Sequence, residues 1–172
     1  LKQSIMKLIK HPDPVLKQSA TPWQFQVADD CEQASKIEQE MISLMKAANG
    51  IGLAAQQVGL LKRVFVMRTQ DGREFGVFNP TVLEVNNEKE LGEEGCLSFP
   101  DLWLKVERSK SLIAKYLDNA GEERIIQLTG LDARCFLHEL DHLDGVCFTD
   151  GLSPLKLSMA IKKQRKLNGR TK

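Results

Sequence analysis

The sequence predicts an α+β fold: mostly antiparallel β-sheets around one central helix, followed by a C-terminal helix. Three observations carry this. Short runs of β-branched and apolar residues are separated by turn residues. A segment near position 40 repeats its apolar residues at helical spacing. A further helical segment near position 138 carries two histidines four residues apart. Runs of strand pattern set beside a few helices fit this class. The length, 172 residues, fits a single domain over 1–172.

His11–Pro12–Asp13–Pro14 reads as a turn that opens a short helix. Residues 30–48 read as a long helix. Ala34, Ile37, Met41, Leu44, Met45 and Ala48 recur at steps of three and four and form one apolar stripe. Asp29 or Asp30 is placed to cap its start, and Gly50 follows its end. Residues 63–67, 75–85, 104–118 and 124–128 read as strands. Asp71–Gly72, Asn79–Pro80 and Asn119–Ala120–Gly121 punctuate them. Residues 132–143 read as the central helix, capped by Asp132. Residues 153–167 read as the last helix, with Pro154 in its first turn.

No apolar run approaches the roughly 20 residues of a membrane-spanning helix. The N-terminal segment has no apolar core of signal-peptide length. The four cysteines, Cys31, Cys96, Cys135 and Cys147, form no CxxC pair, which points to a reducing, cytoplasmic setting. The net charge of +1 is unevenly spread. Lys156, Lys162, Lys163, Arg165, Lys166, Arg170 and Lys172 fall within residues 153–172, a segment with no acidic residue.

His138–Glu139–Leu140–Asp141–His142 is an H-E-x-x-H motif. On a helix, residues four apart lie one above the other, so two imidazoles can grip one metal from one side. Glu139 is rotated by about 100° and can reach a water on that metal. Ala133, Phe136, Leu137 and Leu140 gather on the opposite face, which would pack inward. A plain helix that happens to hold two histidines is the alternative. Asp141 and Asp144 are either solvated or partners of a ligand histidine.

A catalytic metal wants a third protein ligand. Downstream of His142 there is no histidine and no glutamate, so the third ligand comes from upstream. The best source is Cys96 in Glu93–Glu94–Gly95–Cys96–Leu97–Ser98–Phe99–Pro100, bound as thiolate. Taken alone, such a cysteine is more often a small apolar core residue. A third stretch, Gly50–Ile51–Gly52–Leu53–Ala54–Ala55–Gln56–Gln57, is rich in small residues. It suits close pairing with an extended peptide. It lacks the Lys–Ser/Thr of a phosphate loop.

Together these stretches resemble the peptide deformylase family, whose G-x-G-x-A-A-x-Q, E-G-C-L-S and H-E-x-D-H motifs appear here in order and without mismatch. The likeness covers most of residues 8–160, in the bacterial type with E-G-C-L-S. It implies removal of the N-formyl group from the formyl-methionine of new proteins, with release of formate. It implies Cys96, His138 and His142 as metal ligands and Glu139 as acid and base. Gln57 and the backbone N–H of Leu97 would hold the developing oxyanion. Ile51, Gly52 and Gly95 would line the substrate backbone. Ferrous iron is the implied native metal, with zinc or nickel as substitutes; a Cys–His–His set also suits zinc.

Leu131, Arg134 and Cys135 precede His138 by seven, four and three residues and should border the methionine pocket. Family members usually carry an apolar residue where Arg134 stands. Its stem would lie along the pocket rim while the guanidinium reaches water. The position of Trp103 is often arginine. The basic segment 153–172 suits docking on ribosomal RNA; alternatively Leu155, Met159 and Leu167 pack on the body and leave an ordinary basic face. An H-E-x-x-H peptidase would need a downstream ligand that is absent. An inactive relative would be expected to lack Glu139 or Gln57, and both are present.

Overall fold

Strand β2 (Val64–Arg68) is buried on both faces, and that explains the layering. Val64 and Val66 point to one side, where they meet Ala34, Met41 and Met45 of helix α1 (Ala28–Ala47). Phe65 and Met67 point to the other, where they meet Ala133, Cys135 and Phe136 of helix α2 (Gly130–Leu143). A period of two on a strand sends alternate residues to opposite faces, so one strand serves two cores. The structure, a computed structural model, describes residues 6–169.

Around β2 lies a five-stranded antiparallel sheet. Its order is β1 (Gly52–Ala54), β2, β3 (Glu74–Val85), β6 (Ser111–Leu117) and β7 (Glu123–Thr129). The remaining strands, β4 (Lys89–Cys96) and β5 (Phe99–Ser109), form a separate two-stranded ribbon. Helix α3 (Pro154–Asn168) packs Leu157, Ala160 and Ile161 against Leu16, Phe99 and Leu102 beneath this ribbon. The fold is α+β, as the sequence predicts.

Several local expectations hold. Asp13 caps a short 3-10 turn over Pro14–Lys17, its carboxylate accepting from Val15 N at 2.9 Å. Ser153 Oγ accepts from Lys156 N, with Pro154 in the first turn of α3. Asp30 serves α1 from inside the helix: its carboxylate accepts from the backbone N–H of Gln26 and Val27 at 2.7 and 3.0 Å.

Others change. Asp132 does not cap α2, which begins after Thr129. Its carboxylate instead accepts from Gln70 N, tying the β2–β3 turn to the helix. Asn79–Pro80 does not end a strand. β3 runs through it with an irregular register against β6, and the Asn79 amide pairs with both backbone groups of Trp23. The run 104–118 is two strands in two different sheets. The handover falls at Lys110, whose N–H donates to Glu88 O and whose carbonyl accepts from Gly130 N. Strand β4 is absent from the sequence reading. It has no apolar alternation, because it is a ribbon strand whose one fully buried side chain is Glu94.

Candidate metal centre and its cleft

The second core fixes α2 by Ala133 and Phe136, with Leu137 and Leu140 against its edge. Phe136 meets Phe65 edge-on at 5.1 Å between ring centres. With that face anchored, His138 and His142 point to the other side. There they meet Cys96, the last residue of β4 before the tight turn into β5. The Cys96 sulfur and one nitrogen from each histidine all lie within 4.8 Å of one another. Cys96 Sγ is 3.3 Å from His142 Nε2.

His138 is oriented from behind. Its Nδ1 lies 2.9 Å from Glu94 Oε2, which leaves Nε2 for the centre. Sequence reasoning assigned no role to Glu94, although it lies in the E-G-C-L-S motif. It offered Asp141 or Asp144 as the histidine's partner. Neither takes that place: Asp141 pairs with Arg108 at 2.5 Å and Asp144 with Arg63 at 2.7 Å. A carboxylate two residues before the cysteine is brought back to the helix by the strand that carries both.

Glu94 is the hub of a buried network. Arg108 donates to both of its oxygens, from Nε at 2.8 Å and Nη2 at 3.1 Å. Burial opposes its charge, but His138 and Arg108 outweigh that and lower its pKa to about 2. Burial likewise opposes charge on His138, yet hydrogen bonds with Cys96 and Glu94, and the nearby Glu139, raise it to about 10. Burial holds His142 well below its ordinary value, with the neighbouring cations adding to it. That ring is neutral, as a ligand imidazole must be.

Glu139 is buried, and its Oε2 has no hydrogen-bond partner among the described residues. Burial is the main reason its pKa rises to about 7. An unpartnered buried carboxylate oxygen is rare enough to need an explanation, and its place in one cleft with Cys96 and His138 offers one. It lies directly over Gly52. A Cβ there would collide with Glu139 Oε1 and stand 2.8 Å from Cys135 Sγ.

Gln57 is held at both ends. Its Oε1 accepts from Ala54 N at 2.8 Å. Its Nε2 donates to Ser98 Oγ at 3.1 Å and points at Cys96 Sγ at 3.5 Å. Ser98, fully buried, donates in turn from its hydroxyl to Ile9 O at 2.7 Å. Sequence reasoning gave Ser98 no role, and nothing local in the sequence shows its link to Ile9.

A cleft of about 580 Å³ opens in front of these groups. Among its lining residues are Ile51, Gly52, Gly95, Leu97, Leu131, Arg134, Cys135 and Glu139, so the structure brings the sequence-named residues together. Strand β1 is an edge strand of its sheet, and it borders the cleft with its glycine. The indole of Trp103 lies over Gly95, its partner across the ribbon, with ring atoms 3.0–3.1 Å from where a Cβ would sit. Arg134 departs from expectation. Its guanidinium does not reach water but is buried against the ribbon.

A sequence profile described as polypeptide deformylase matches residues 5–158. The chain belongs to the polypeptide deformylase family. Among deformylases, it is 41% identical over 164 residues to the Rhizobium meliloti peptide deformylase, covering 93% of this chain and 92% of that one. The Thermotoga maritima enzyme is 44% identical over 151 residues, covering 88% and 89%. The crystal structure of a Legionella pneumophila deformylase superposes with a TM-score of 0.84 at 33% identity, over 98% of each chain. An Ehrlichia chaffeensis deformylase in complex with actinonin superposes with the same TM-score at 33% identity, over 95% of this chain and 98% of that one. Membership makes this an enzyme of a deformylase lineage.

Proposed function

We propose that this chain is a metal-dependent hydrolase that removes the N-formyl group from the formyl-methionine of newly made proteins and releases formate. The observation that carries the reading is the convergence of Cys96, His138 and His142, with Glu139 lining the same cleft and its Oε2 unpartnered among the described residues. The donor set is soft and part-anionic, the Glu94 brace orients one imidazole, and the second is neutral; a divalent cation fits it. We take ferrous iron as the native metal, with zinc or nickel as substitutes.

A bound divalent metal would supply a water acidic enough to ionise near neutrality. Glu139 takes the proton as the formyl carbon is attacked, then delivers it to the leaving amine. The Gln57 amide, pinned by Ala54 and Ser98, donates to the oxygen where negative charge develops, and the Leu97 N–H joins it. Each such donor contributes about 3–4 kcal/mol. The substrate backbone adds to the free edge of β1 at Ile51 and Gly52, opposite Gly95, in the manner of strand addition. Leu131, Arg134 and Cys135 border the methionine side chain. A formyl carbon bears only hydrogen as its second substituent, so a tight site admits it and excludes acetyl.

The unit of function is one catalytic domain acting in the cytoplasm on nascent chains. Helix α3 carries Lys156, Lys162, Lys163, Arg165 and Lys166; Arg170 and Lys172 lie outside the described residues. This basic helix is proposed to dock on the ribosome. The deciding experiment is formate release from formyl-Met-Ala by protein purified anaerobically with ferrous iron. Steady release, with none from acetyl-Met-Ala, is the expected result. No release from a fully loaded protein would overturn the reading.

A further inference from the structure

Arg134 lies one turn before His138 on α2, where its long side chain crosses to the ribbon. Its Nη1 donates to Glu94 Oε1 at 2.9 Å, to Val106 O at 2.8 Å and, more weakly, to Gly92 O at 3.4 Å. Its Nη2 donates to Glu90 O at 2.8 Å. Glu90, Gly92 and Glu94 are alternate residues of β4, and Val106 is the partner of Gly92 across the ribbon. The guanidinium is therefore laid along one face of β4 and reaches β5 as well. Gly92 makes room for it: a Cβ there would stand 2.8 Å from both Cζ and Nη2.

This placement is not needed to neutralise Glu94. Arg108 already grips both carboxylate oxygens, and His138 sits on one of them. Three of the four acceptors of Arg134 are backbone carbonyls, so its contacts specify position more than charge. The positions matter because the three candidate ligand atoms come from two bodies. Cys96 ends the ribbon strand β4, while His138 and His142 ride on α2. Among the described residues, neither ribbon strand is paired with a strand of the five-stranded sheet that holds α2. A planar guanidinium that meets several acceptors at once is suited to fixing such a spacing; a lysine ammonium is not.

We propose that Arg134 is a positioning residue that sets the spacing between the Cys96-bearing ribbon and the histidine-bearing helix, and so sets how tightly the Cys96–His138–His142 centre holds a divalent cation. The proposal rests on the metal reading of those three residues and not on the identity of the substrate.

The test uses the full chain loaded with cobalt(II), whose thiolate charge-transfer and ligand-field bands report on the centre without any substrate. Arg134→Met, Arg134→Lys and Gly92→Ala are compared with the parent by titration against a competing chelator. Circular dichroism establishes that each is folded. All three are expected to bind cobalt about 10–100-fold more weakly, the range seen when an outer partner of a metal ligand is lost, with altered band intensities. Gly92→Ala keeps the arginine and displaces it, so it decides the matter if Arg134→Met fails to fold. Affinity within twofold of the parent in the folded variants would overturn the proposal. A parent that shows no thiolate band, and whose cobalt content is untouched by Cys96→Ser, would overturn the metal reading and this proposal with it.

Discussion

Glu139 shows how one side chain can be prepared for proton transfer. Burial removes the solvent that would favour its charge, and its pKa rises to about 7. A carboxyl held near neutrality can both accept and return a proton at working pH. Its neighbours leave Oε2 unpartnered, so nothing competes for that proton. Glu139→Gln keeps the shape and removes the titration. The variant is expected to retain the parent's metal content, measured by elemental analysis, while turnover falls by about 10²–10⁴-fold. Turnover within tenfold of the parent would reject its role. Gln57 is the complementary case, an amide whose direction is fixed before any substrate arrives. Glu139 was legible from the spacing of its H-E-x-x-H motif, and Gln57 only through the resemblance of Gly50–Gln57 to a family motif. Ser98, which aims the Gln57 amide, was not, since its second partner Ile9 is 89 residues away.

Strand β1 and helix α2 approach each other so closely that only glycine fits at position 52. A methyl group there meets the Glu139 carboxylate and the Cys135 sulfur. Gly52→Ala is expected to destabilise the fold by about 1–3 kcal/mol through overpacking and to lower kcat/KM more than tenfold. Thermal unfolding beside kinetics separates the two, and a fully active Gly52→Ala would reject the contact. The ribbon offers a pH test. Glu94 is depressed to about 2 in the folded chain from an ordinary value of 4.5. Its contribution is therefore present above about pH 4.5 and is lost as pH falls toward 2. Urea unfolding of Glu94→Gln should show a large stability deficit at pH 7 that narrows by pH 3; a constant deficit would show that the charge is not the cause. Helices α1 and α2 were readable from apolar spacing, and α3 from Pro154 in its first turn. Strand β4 was not. Its charged residues face water or a buried ion network, and neither leaves the alternating pattern by which strands are recognised.

At the scale of the whole molecule, charge and attachment are unevenly distributed. Helix α3 holds the body through Leu157, Ala160 and Ile161, while Leu155 and Met159 are exposed. The alternative in which Leu155, Met159 and Leu167 pack on the body does not hold, since all three are exposed. An outward face that is both basic and apolar suits a large anionic partner. Removing residues 162–172 is expected to leave hydrolysis of short formyl peptides unchanged and to weaken cosedimentation with ribosomes at low salt. Equal sedimentation would reject docking by this helix. The ribbon of β4 and β5 has a different consequence. It runs on from the five-stranded sheet at the end where Asn86 pairs with Ser111 and Lys110 with Glu88 through backbone hydrogen bonds. Along its length it is tied to α2 by Arg108, which pairs with Asp141, and by Arg134, which pairs with Glu94. A ribbon and a sheet joined in this way are expected to open with different free energies, and a cation shared by Cys96 and the two histidines would lock one to the other. Loading zinc should slow amide exchange in 91–104 well beyond any change in 111–129, so that the chain reports the filling of its own centre as a loss of motion in a ribbon.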